Sequence, residues 1–159
     1  MKYLILALLL SSCGDTWKDD VVIKKDPKDQ PTKRKTEIDP KLIPYYELFE
    51  NITGINAEHI PAEIVDLPDS VVGRCTYYID WELIQIDTAY FEKGSDNSKE
   101  EVMLHELGHC ALNRGHTKKV ITDDYYGEIP GSIMYEFAIG DYQFYEKNKD
   151  YYHEELNNE

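Results

Sequence analysis

His105, Glu106, His109 and His116 fall in the run H-E-L-G-H-C-A-L-N-R-G-H, and those residue types at that spacing can hold a metal ion and activate water. Residues four apart on a helix share one face, so His105 and His109 can reach a single ion. Zinc accepts imidazole nitrogen readily, and its catalytic sites use three protein ligands with a fourth position left open. His116 is the candidate third ligand. Glu106, next to the first histidine, is left to handle a water molecule as a base. Histidine is a rare residue, and an accidental H-E-x-x-H belongs in well under ~1% of chains of this length on typical composition. A plain amphipathic helix with two surface histidines would account for neither Glu106 nor His116.

These side chains need a helix to carry them and a turn to bring His116 back. Ser98 with Glu101 three residues later has the form of a capping box. Val102, Met103, Leu104, Leu107, Ala111 and Leu112 supply apolar faces. Gly115, with Asn113, is the expected exit from the helix. Upstream, Leu42, Tyr45, Tyr46, Phe49 and Ile52 recur at helical spacing before Gly54, which predicts a helix over residues 42–53. Residues 63–67, 71–79 and 83–87 read as strands, with Asp80 and Trp81 near a turn. Residues 94–97 read as a loop into the histidine helix, 117–131 as a polar loop, and 141–156 as a final helix with Tyr142, Tyr145, Tyr152 and Leu156 on one side. The thirteen tyrosines suit core and rim packing better than a binding device. His59 and His153 read as solvated.

The central run resembles that of the metzincin clan of zinc endopeptidases, H-E-x-x-H-x-x-G-x-x-H followed by a turn carrying methionine. His105, Glu106 and His109 match in register. Ser132, Ile133, Met134 and Tyr135 look like the Met-turn, with Met134 as a hydrophobic floor beneath the metal. The family glycine falls at Leu112 and its third histidine at Gly115, so His116 comes one residue late. The close likeness spans residues 105–135. It implies an α+β fold of the small zincin or metzincin kind: a short twisted mixed sheet, a zinc-binding active-site helix, the Met-turn and a C-terminal helix. It implies one catalytic Zn2+ and a protein or peptide substrate. Three neutral imidazoles would leave the ion its full charge, which lowers the pKa of a bound water. Glu106 would take the water's proton and pass it to the leaving amine. In such enzymes an extended substrate pairs with an edge strand, and residues 83–87 could serve. Where some metzincins have a tyrosine two residues after the methionine, this chain has Phe137; Tyr135 is expected to be structural. Asp123, Asp124, Tyr125, Tyr126 and Gly127 resemble less closely the D-x-x-Y-G segment of aspzincins, which would make Asp123 the third ligand. Glu128 or Glu136 would be a gluzincin-type alternative.

The start of the chain carries a different signal. Lys2 and the eight apolar residues from Tyr3 to Leu10 read as a signal peptide over residues 1–12, too short to span a bilayer. Leu10, Ser11, Ser12 and Cys13 resemble a bacterial lipobox, with Cys13 lipidated and the protein held at the cell envelope; Gly14 in place of Asp resembles outer-membrane sorting. Residues 13–41, rich in Lys, Asp and Pro, read as a tether, with an N-terminal strand over residues 21–23 as the alternative. The expected domain covers residues 42–159. It holds 8 Lys and Arg against 24 Asp and Glu, a net charge of −16 that repels phosphate backbones, so nucleic acid is an unsuited partner. Cys75 and Cys110 remain as an even pair in an exported domain, either a disulfide or two buried thiols. An alternative function from another class is a zinc-containing surface lipoprotein that only binds an envelope or host partner; an intact Glu106 argues against it.

Overall fold

Pro44 and Gly54 bracket the first helix, α1 (Ile43–Thr53). The proline stands in the first turn, where its missing N–H costs nothing, and Gly54 closes the helix in the left-handed region at φ 72°. The computed structural model describes residues 33–68 and 70–158, together with the backbone of Ile23 and Lys24. The residues read as a signal peptide, Cys13 and most of those read as a tether lie outside the described residues.

The chain forms a small α+β structure with a short mixed sheet and five helices among the described residues. The strands β1 (Ile23–Lys24), β2 (Ala62–Val65), β3 (Gly73–Tyr77) and β4 (Glu82–Asp87) lie in the order β1-β3-β4-β2. β3 runs antiparallel to β4, with Cys75 opposite Ile84, whereas β2 is parallel to β4 and β1 to β3. Two helices follow β4, the short α2 (Thr88–Lys93) and the long α3 (Asp96–Leu112), and α3 packs across β3 and β4. A hairpin of β5 (Val120–Asp123) and β6 (Gly127–Pro130) comes next, then α4 (Gln143–Lys147) and α5 (Lys149–Asn158), which packs on α1. Val102, Met103, Leu104 and Leu107 of α3 are each 0% exposed. Each such burial contributes roughly 1.5–3 kcal/mol, so this one helix anchors much of the core. No helix among the described residues is long and apolar enough to cross a membrane.

Several elements differ from the sequence reading. The cap of α3 is Ser95, whose hydroxyl accepts from the Ser98 N–H, so α3 begins at Asp96 rather than after a loop over residues 94–97. Glu101, expected as half of a capping box, is fully buried, and that burial pushes its pKa up to about 8. The stretch 117–131 contains the β5–β6 hairpin rather than only loop. The last helix begins at Gln143 and is broken at Asn148; Tyr142, just before it, is 50% exposed while Tyr145, Tyr152 and Leu156 are buried. β4 is flanked by β3 and β2, so residues 83–87 are an interior strand and offer no open edge.

Cys75 of β3 and Cys110 of α3 form a disulfide, with Cα atoms 5.7 Å apart and a sequence separation of 35. A closed loop of that length restricts the unfolded chain by roughly 3–4 kcal/mol on the chain-entropy view. Replacing both cysteines with alanine is therefore expected to lower Tm by about 10–15 °C in thermal unfolding. A change of only a degree or two would mean that the bond adds little to stability.

Candidate metal centre

The three histidines converge on one point. His105 Nε2 lies 3.0 Å from both His109 Nε2 and His116 Nε2, and His109 Nε2 lies 3.1 Å from His116 Nε2. The helix supplies two of them, as the four-residue spacing requires. The third arrives because α3 stops at Leu112 and Asn113 turns the chain at φ 54°, in the left-handed region. Asparagine tolerates that conformation better than most residues. Gly115, expected to make this turn, is not in the left-handed region. Thr117 N–H then donates to the Met134 carbonyl at 2.9 Å and fixes the chain just beyond His116.

Which nitrogens carry protons follows from the outer hydrogen bonds. His105 Nδ1 is 2.8 Å from the Ile133 carbonyl and His109 Nδ1 is 2.7 Å from the Arg114 carbonyl. A carbonyl only accepts, so both Nδ1 atoms are the donors and both Nε2 atoms present lone pairs. Two lone pairs 3.0 Å apart repel unless a cation lies between them. A proton is a poor candidate for that cation. Burial first, then the neighbouring histidines, holds His105 well below its ordinary 6.5, and burial lowers His109 to about 4. Both rings are neutral through the physiological range, which is the ligand form. Three nitrogens at 3.0–3.1 Å also have the mutual spacing of donors that each sit ~2.0–2.1 Å from one shared ion. His105, His109 and His116 are thus close enough to bind a metal ion together.

The segment around Met134 organises this arrangement from below. Ile133 and Met134 are 0% and 2% exposed. A Cβ placed on Gly108 would sit 2.4 Å from Met134 Sδ, so the glycine of H-E-L-G-H lets the methionine press against α3 between the ligand turns. Helix α5 holds that segment in turn. The Tyr152 hydroxyl donates to the Pro130 carbonyl at 2.7 Å and the Tyr151 hydroxyl to the Gly131 carbonyl at 2.8 Å.

Glu106 is 2% exposed and faces β3. A Cβ on Gly73 would lie 2.6 Å from its Oε1 and 2.9 Å from its Cγ. The bare backbone of Gly73 is what makes room for the carboxylate beside His105. Tyr77, further along β3, donates its hydroxyl to the His109 carbonyl. Burial, then the charges of Glu82 and Glu106, raise its pKa and keep the phenol a donor. β3 therefore borders the site along its length. We expect Gly73→Ala to keep metal binding but displace the Glu106 carboxylate. A structure of the variant with the carboxylate in its present place would show that the bare Gly73 backbone is not what makes room for it.

The alternative ligands are elsewhere. Asp123 accepts from the Tyr125 and Tyr126 N–H groups at 2.7 and 2.9 Å in the hairpin turn. Glu136 pairs with Lys118 at 3.1 Å. His59 is exposed, but His153, read as solvated, lies 3.1 Å from Glu100. Sequence reasoning missed Gly73, Tyr77 and Glu155; none of them stands in a motif, and only the folded sheet and α5 bring them to the centre. Comparison with protein families, with curated proteins and with solved structures finds no match for this chain.

Proposed function

We propose that the protein is a zinc-dependent endopeptidase of the metzincin type. One observation carries this reading: Glu106, an acid with no part in the three-histidine cluster, is buried beside the first histidine in a place that Gly73 keeps open for it. A site that held metal only for stability would have no use for a base there. A bound zinc ion supplies Lewis acidity toward a carbonyl oxygen and toward water. The rest is work for the chain's own groups. Glu106 accepts a proton from the attacking water and delivers it to the leaving amine. The Ile133 and Arg114 carbonyls fix the ring proton of His105 and His109 on Nδ1, and burial keeps both rings neutral. Met134 closes the floor against water. β4 lies between β3 and β2, so residues 83–87 offer no edge for an extended substrate, and β3 is the strand that lies beside Glu106. The late third histidine is compatible with this reading because the turn at Asn113, not a glycine, sets where the chain comes back.

The deciding experiment is hydrolysis of a mixed peptide library by the zinc-loaded protein, read by mass spectrometry. Cleavage abolished by a chelator and restored by Zn2+ supports the proposal. A fully metal-loaded protein that cleaves nothing would favour the binding lipoprotein instead.

The cell-envelope placement rests on the lipobox likeness at Cys13. Cys13→Ala is expected to move the protein from the membrane fraction to the soluble one. An unmodified Cys13 in the mature wild-type protein, seen by mass spectrometry, would refute the anchor.

A further inference from the structure

Glu155 of α5 sits behind the metal centre and reaches both of the segments that orient its helix-borne ligands. Its Oε2 accepts from the Ile133 N–H at 3.2 Å, and Ile133 is the residue whose carbonyl holds His105 Nδ1. Its Oε1 lies 3.4 Å from Arg114 Nη2, and Arg114 is the residue whose carbonyl holds His109 Nδ1. The guanidinium reaches α5 a second time, donating to the Leu156 carbonyl at 3.4 Å. Both side chains of the pair are largely shielded, at 11% exposure for Arg114 and 4% for Glu155.

We propose that Glu155 is a positioning residue for the metal centre: one carboxylate sets, through Ile133 and Arg114, the two carbonyls that aim His105 and His109. The inference rests on the metal-centre reading above and extends it to α5. The physical reason lies in the kind of backbone involved. Ile133 and Arg114 lie outside any helix or strand, where single local bonds rather than a ladder hold the backbone: Arg114 N–H to the Gly108 carbonyl at 3.1 Å and Met134 N–H to Ser132 Oγ at 3.0 Å. A peptide plane that rocks takes its carbonyl with it, and the imidazole bonded to that carbonyl follows. A charged acceptor binds an N–H more strongly than a neutral one, and the planes of the Ile133 N–H and the Ile133 carbonyl join at one Cα, so a carboxylate that pins the first limits how far the second can turn. The same group draws in Arg114, and so couples two turns that are nineteen residues apart in the chain. Outer partners of this kind typically change metal affinity about 10–100-fold when removed.

The test uses the full chain and reads Zn2+ affinity by competition with a chromophoric chelator, alongside the visible spectrum of the Co2+-loaded protein. Glu155→Gln keeps the side-chain shape while removing the charge. It is expected to weaken Zn2+ binding roughly tenfold or more and to alter the Co2+ spectrum. A second variant, Arg114→Met with Glu155→Leu, replaces the shielded pair by apolar groups, a change that buried pairs often tolerate in folding. It is expected to keep a cooperative thermal transition yet bind Zn2+ about 10–100-fold more weakly. A purely structural pair would shift Tm and leave metal affinity and spectrum alone. Wild-type affinity in Glu155→Gln, or in a folded double variant, overturns the inference. Failure of the unaltered chain to bind Zn2+ or Co2+ overturns the metal centre and this inference together.

Discussion

His116→Ala is expected to lower metal occupancy as severely as His109→Ala, although His116 lies off the helix. The three Nε2 atoms are mutually 3.0–3.1 Å apart, so each contributes one corner of the same site and none is peripheral. Removing one leaves two ligands, and the loss should exceed the ~10–100-fold typical of changes to outer partners. Metal analysis of protein dialysed against limiting Zn2+ measures this directly. Circular dichroism separates a lost ligand from a lost fold. His116 is partly exposed at the end of a turn, so its truncation removes little core. His109, at 6% exposure, is the more disruptive replacement. Full occupancy in His116→Ala, with loss in an Asp123 or Glu128 variant, would transfer the third position to the hairpin. The hydrogen bonds from Tyr125 and Tyr126 to Asp123 make that outcome unexpected, since they hold the carboxylate within its own turn.

How much of this was legible in the chain depended on whether the signal was local. His105 and His109 are four apart, and a helix admits only one outcome for that spacing. α1 was legible because five apolar residues mark one face and Gly54 ends it. The path to His116 was legible only in outline. Asn113 and Gly115 were the expected turn residues, and Asn113 alone takes the left-handed conformation, its N–H bonding back to Gly108. The β5–β6 hairpin was hidden because its strands have four residues each; its signal was the D-D-Y-Y-G stretch, with Gly127 at φ 78° completing the turn. The break at Asn148 was hidden too. There a side-chain amide bonds the Phe144 carbonyl and Asp123, competing with the helix. α2 has six residues, too few to show a period, and is marked only by Asp87 accepting from Tyr90 N–H.

β4 was misplaced for a different reason. Its apolar residues Leu83, Ile84 and Ile86, all buried, say that a strand is packed but not which neighbours it has. Sheet order is a long-range property. It is settled here by parallel pairing of β2 with β4, across a connection that also contains β3. The consequence reaches the site. With β4 inside the sheet, β3 becomes the strand beside Glu106, and Gly73 acquires a role that no reading of the sequence would assign.

Glu106→Gln is expected to leave Zn2+ bound and the fold intact while lowering peptide hydrolysis by ~10²–10⁴-fold, the usual cost of losing a general base. Glutamine matches glutamate in shape, so the space opposite Gly73 stays filled. What disappears is the ability to take a proton. The three histidines are untouched, so zinc content should match the unaltered protein. That pairing of retained metal with lost turnover is what separates a base from a ligand. Were Glu106 a ligand, zinc affinity would fall with activity. Were it only a packing group, glutamine would preserve both. The loss should appear in kcat at saturating peptide, because the carboxylate acts in the proton transfers rather than in holding the substrate. Near-unaltered kcat in a zinc-loaded Glu106→Gln protein would end the catalytic assignment. The buried acid beside His105 would then need another explanation, for which Tyr77, the residue whose pKa it helps to raise, would be the first place to look.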